Sequence, residues 1–226
     1  MSHTGMLRRY LIFFAGVLCS ALGISLITLA GMGTSAVSSL AYVLTFVFPG
    51  VSLGTFTFVV NCVMLGGQIL ILRKKFQPIQ LLQVPATFVF SCCIDLWMSL
   101  LSDLIPQSYA RHWVVLLLGC SCLGLGVALE VIPNVLILPC EGFVRVCSQE
   151  FHWDFGKTKT GYDLTMVAAA TLLSLLDLGS IHGLREGTVV CALTVGFISR
   201  FFCKRLAFLV KKPDSNQLPN AGVSAA

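Results

Sequence analysis

Charge is what this sequence has least of. Only 11% of its 226 residues are Asp, Glu, Lys or Arg, where a soluble domain carries roughly 25%. That scarcity excludes a water-solvated surface over most of the chain. The net charge of +5 does not reverse this, because the basic residues sit between apolar runs and form no basic–aromatic pattern, so no nucleic acid is expected as a partner. Motifs are missing too. The ten cysteines include no CxxC pair and no Cys/His grouping at zinc spacing, so they read as small packing residues. No Walker loop, HExxH helix, GxSxG elbow or dinucleotide fingerprint occurs. No cofactor, no metal and no enzyme are therefore expected, although paired intramembrane acids such as Asp95 and Asp163 remain able to do acid/base work.

What is present is apolar length. The hydrophobic set makes up 56% of the chain and the mean hydropathy is +0.88. Six runs, roughly 8–31, 54–73, 79–102, 111–132, 160–178 and 185–206, reach the roughly 20 residues a helix needs to cross a bilayer. Two shorter runs, 34–48 and 137–151, would make helices of ~22 Å, short of a full crossing. With six crossings and an internal N-terminus, thirteen Lys and Arg residues fall inside and only Arg111 and Arg185 outside, the bias of the positive-inside rule. If both short runs also crossed, Arg73–Lys75 would move outside and the bias would weaken. The expected fold is therefore an all-α membrane protein with six transmembrane helices and two short re-entrant or interfacial helices. One membrane domain is expected over 1–212, and the polar, proline-containing tail 213–226 reads as disordered.

The halves repeat. "GISLITLAGMGTSAVSSL" (23–40) aligns with "GVALEVIPNVLILPCEGF" (126–143), and "SLGTFTFVVN" (52–61) with "DFGKTKTGYD" (154–163) after a one-residue gap. Ser52 and Asp154 then fall where helices begin, and both are good N-caps. Repeats over about 8–102 and 111–206 with three crossings each must run in opposite directions, a 3+3 inverted repeat of the kind many secondary transporters use.

"LGISLITLAGMGTSAVSSL", Asn61 with Gln68, and "SCCIDLWMSLL" around Asp95 resemble the bacterial YczE-like integral membrane proteins, related in appearance to the YitT group, over residues 8–206. The chain has Ala36 where that pattern places proline. The resemblance implies this fold in a bacterial inner membrane and says little of a substrate.

Polar residues inside apolar runs are the candidate site. A carboxylate at a bilayer centre costs about 2.5–3.5 kcal/mol on insertion scales, so such acids turn toward protein or water. Asp163 and Asn61 hold equivalent places in the two halves; Asp163 could instead pair with Lys157 or Lys159 at the interface. Asp95 lies past the middle of the third span, as a pore acid or a structural pair. Glu130, Asn134 and Glu141 surround a break forced at Pro133, where unsatisfied backbone is tolerated only against protein or a wet cavity; Arg145 could pair with Glu141. Gln68 could bond between helices, and Gly16, Gly23, Gly66, Gly67, Gly124 and Gly126 permit close helix contact. The expected function is a small secondary transporter or permease for an unidentified small solute, proton- or cation-coupled, with both termini cytoplasmic. The alternative is a membrane accessory protein that binds a partner and moves nothing. Lipid is the expected surroundings, and six spans leave room for a homodimer.

Overall fold

The computed structural model describes residues 3–103, 108–180 and 182–206, so the expected tail 213–226 lies outside the described residues. Eight α-helices follow in order: α1 (His3–Leu29), α2 (Ser39–Val47), α3 (Leu53–Leu72), α4 (Gln83–Leu100), α5 (Tyr109–Val131), α6 (Pro139–Glu150), α7 (Phe155–Leu178) and α8 (Glu186–Leu206). Two 3₁₀ turns, Arg73–Lys75 and Pro78–Leu82, join α3 to α4. Among the described residues there is no strand. Six helices are long and apolar enough to cross a bilayer, from Met6–Leu29 to Glu186–Leu206, and they make the chain a multi-pass membrane protein.

Local chemistry sets the boundaries. Ser52 accepts a hydrogen bond from the Thr55 backbone N–H and Asp154 one from Lys157, each satisfying a donor that the first helical turn leaves orphaned. The Asp154 cap starts α7 at Phe155, five residues before the apolar run expected at 160. α1 ends before Gly31 and Gly33, both at positive φ (66° and 116°), which glycine tolerates without a Cβ clash. α5 ends at Val131, before Pro133, and Asn134 turns the chain at φ 47°. The short helices are shorter than their apolar runs. Thr34, Ser35 and Ser38 bond one another through their hydroxyls rather than entering α2. Side chains that satisfy local backbone in this way compete with helix.

The main seam is α1 against α5, and it runs antiparallel. Gly16 faces Gly126 and Glu130, while Gly119 faces Gly23 and Ile27. Gly23 meets the backbone of Leu123, and Gly126 meets Ser20. A Cβ on Gly16 would lie 2.8 Å from the Glu130 nitrogen, and one on Gly119 would lie 2.8 Å from Ile27 Cγ1. Absent side chains let the two backbones approach. Each contact also has a counterpart: adding 103 to residue 16, and subtracting it from 126 and 130, converts the first pair of contacts into the second. The Cys19 thiol donates to the Cys122 carbonyl across the same shift of 103.

Around this seam the helices form two groups. α4 packs on α1 and α8 on α5; separately, α3 and α7 flank α2 and α6. Among the described residues the principal helix-to-helix junction between the groups is α3 with α4.

Candidate functional site

α6 is placed by α3. The Cys140 backbone N–H donates to Asn61 Oδ1 at 3.3 Å, and Gln68 Nε2 donates to the Pro139 carbonyl at 2.9 Å. Gly67 packs on Phe143, and Lys75 bonds Glu150 at 2.8 Å. α6 therefore starts level with the middle of α3 and ends level with its Lys75 end. Asn61 and Gln68 are both buried, at 4% and 1% exposure, and both are committed to the first turn of α6. Gln68 also donates to Gln83 Oε1 at 3.2 Å. Gln83 was not among the sequence candidates because its partner lies on another helix. Gln68→Ala is expected to cost about 1–2 kcal/mol in thermal or denaturant unfolding, near the upper end for a bond between membrane helices, because it removes the donor to the Oε1 of buried Gln83 as well as the bond to α6.

The acids divide. Asp95 Oδ1 accepts from the Gly54 N–H at 2.8 Å and Oδ2 from Ser52 Oγ at 2.6 Å. It ties α4 to the start of α3, some ~20 Å along α3 from Gln68. Asp163 pairs with Lys159 at 2.9 Å on its own helix, so the positions equivalent in sequence make different contacts: Asn61 holds α6 and Asp163 holds a lysine. Glu130, 4% exposed, accepts from Ser20 Oγ at 2.6 Å across the α1–α5 seam. Ser20 also escaped the sequence reading, being one hydroxyl among many small residues.

Glu141, in the first turn of α6, connects the rest. α6 packs on α7, the helix that carries the Lys159–Asp163 pair. Glu141, Asp163 and Lys159 thus form one charged neighbourhood on the packed helices α6 and α7, and Glu130 is supplied by α5. Asn134 is not part of it; it is exposed and makes the turn after α5. Among the described residues Arg145 makes no ion pair with Glu141. Beside the neighbourhood the Tyr162 hydroxyl is buried without a hydrogen-bond partner among the described residues. Between α6 and α7 lies an open groove of about 670 Å³, lined by Phe143, Tyr162, Thr165, Trp153 and Lys157 among others. Among the described residues no group of His, Cys, Asp and Glu is arranged to hold a metal ion.

Residues 7–204 match the family described as a family of unknown function, DUF6198. The chain belongs to DUF6198. No curated protein and no solved structure matches it. The match takes in every described helix from α2 to α7 and nearly all of α1 and α8. Both the α1–α5 seam and the acidic neighbourhood therefore belong to the part of the chain that defines DUF6198.

Proposed function

We propose that this protein is a small secondary transporter whose two halves, inserted in opposite directions, enclose a proton- or cation-binding site around Glu130, Glu141 and Asp163. The observation that carries this reading is the exchange of α1–α5 contacts under the 103-residue shift. Two antiparallel helices whose contacts interconvert in this way are related by a twofold axis lying across them, which in a bilayer is an inverted repeat. The axis passes near residues 21–22 and 124–125, at the middle of the overlap. Glu130 then lies only ~8 Å from the bilayer centre. Supporting the same reading, α6 begins level with the middle of α3, as a re-entrant half-helix would, and helix ends at such depth need protein or water to satisfy them. With the basic Arg73–Lys75 end cytoplasmic, the acids lie in the inner half, and their excess over Lys159 favours a cationic or neutral solute.

The resemblance to YczE-like proteins is compatible with a bacterial inner membrane and cytoplasmic termini. A second reading also has an observation behind it. Asn61 and Asp95 are both consumed by structural hydrogen bonds at separate levels of α3, as in an accessory protein that needs no polar interior. The purified protein in liposomes, screened for uptake of a small-metabolite panel under an imposed proton gradient, separates the two. Transport lost in Glu130→Gln and Asp163→Asn is the expected result; a wild-type protein that moves no panel member and dissipates no gradient supports the accessory reading. Membrane-impermeant amine labelling is expected to reach Lys74 and Lys75 only from the cytoplasmic side, and labelling from outside would sink the inverted arrangement.

A further inference from the structure

The two halves share contacts along α1–α5 but not at their outer pairs. α3 and α4 are packed: Asp95 bonds Ser52 and the Gly54 N–H, a Cβ on Gly54 would overlap the Ser91 carbonyl, and Phe58 meets Phe88 edge-on at 5.9 Å. Their counterparts α7 and α8 have no comparable packing among the described residues. Gly156, which stands where Gly54 stands, has only the Asp154 oxygen of its own cap nearby, at 3.2 Å, and Gly161 and Gly196 have nothing within 4 Å. The apolar windows of α7 and α8 are each 17% buried, against 28% for α3 and 33% for α4.

The separation is one-ended. Where α8 begins, the turn after α7 ties back onto it: the His182 N–H donates to Ser174 Oγ and that hydroxyl donates to the Ser180 carbonyl, both at 2.8 Å. At the opposite end, which carries Asp154 on α7 and Arg200 and Lys204 on α8, no hydrogen bond or ion pair joins the two helices among the described residues, and Gly161 and Gly196 face open space. That is the end of Lys75, and it is the end toward which Glu141 and Asp163 lie.

We infer that this is the inward-open arrangement of a two-state cycle, and that Asp95 is the latch of its outer gate. This rests on the transport reading above. In the alternative state Asp95 releases Ser52 and the Gly54 N–H, and α4 separates from α3 at their outer end. The inner end of α8 then packs on the Gly156 turn of α7, with Arg200 and Lys204 brought toward Asp154. Inverted repeats make this exchange natural, because each half adopts the packing its counterpart has just left. The helix groups pivot while α1–α5 stays fixed, since its backbone contacts leave no room for sliding. Asp95 suits a latch because its bonds are few, lie at a helix start and are replaceable by water.

Spin-label distances in lipid nanodiscs test this on the full chain with native cysteines replaced and helix content checked. One label pair, Thr55→Cys with Ser99→Cys, spans the outer end of α3 and α4; the other, Thr160→Cys with Phe201→Cys, spans the inner end of α7 and α8. Removing the latch by Asp95→Ala is expected to raise the outer-open to outer-closed ratio about tenfold, the effect of one charge-assisted hydrogen bond. The inner pair should gain a shorter distance in the same proportion. Ser52→Ala, which keeps the carboxylate, is expected to move both pairs the same way by less, and it serves if Asp95→Ala does not fold. An outer pair that widens while the inner pair stays put is local fraying and overturns the inference, as do two unchanged distances. Because distances are read without a solute, coupled exchange in a protein that moves nothing in liposomes would keep the latch and sink the transport reading instead.

Discussion

Gly23→Ala is expected to destabilise the protein by about 3 kcal/mol, at the upper end of the usual range for overpacking. Gly126→Ala should cost nearly the same. The added methyl on Gly23 meets the backbone of Leu123, and the one on Gly126 meets the backbone and hydroxyl of Ser20. Backbone cannot rotate aside as the tip of a side chain can, so α1 and α5 must separate, and every contact along their seam loosens together. Gly161→Ala and Gly196→Ala make the control. Both glycines lie within helices and have open space around them, so alanine should leave stability unchanged or raise it by up to about 1 kcal/mol through helix propensity. Unfolding of the four variants in one detergent, followed by circular dichroism, gives the comparison. Equal effects at all four sites would show that the α1–α5 seam is not where the fold is decided. A difference between Gly23 and Gly126 of more than about 1 kcal/mol would argue against the twofold relation, because symmetric contacts should fail symmetrically.

The glycines also show how far the sequence could be read. Six glycines in apolar runs read as positions of close helix contact, and the structure places Gly16, Gly23, Gly67, Gly124 and Gly126 against another helix but leaves Gly66 in open space. Which helix each one meets was not legible, because a partner some hundred residues away leaves no trace in local pattern. The six long apolar helices, the caps at Ser52 and Asp154 and the break at Pro133 were legible for the opposite reason: apolar length, N-capping and proline geometry act within a few residues. The polar candidates fall between. A buried amide or acid announces itself by its cost, so Asn61, Gln68 and Glu130 stood out. Whether that cost is met by structure or reserved for a ligand depends on the partner, and Asp95 on the Gly54 N–H and Asn61 on the Cys140 N–H are pairings only the fold supplies. Ser20 and Gln83, the partners of Glu130 and Gln68, were missed because a serine or glutamine near a span carries little signal alone.

Glu130→Ile is expected to fold normally and to lose about 100-fold in proton- or cation-coupled uptake. The reasoning starts from Ile27, the residue that occupies the Glu130 position in the other half. Ile27 is fully buried against Gly119 as Glu130 is buried against Gly16, so the two cradles accept an isoleucine and a glutamate alike. Packing therefore does not require a carboxyl at 130. Carrying one into the bilayer interior costs about 3 kcal/mol, and the bond from Ser20 returns only part of that. A residue that the fold could replace with an apolar one at lower cost is retained for something else, and binding a positive charge is the property isoleucine lacks. Loss of about 3 kcal/mol of attraction corresponds to the 100-fold loss. Glu130→Gln sharpens the test: it keeps an oxygen for Ser20 and the shape of the cradle, so it should match wild type in unfolding and match Glu130→Ile in uptake. If glutamine transports as well as glutamate does, the carboxyl is only a hydrogen-bond acceptor for Ser20, and the binding site must be sought around Glu141 and Asp163 without it.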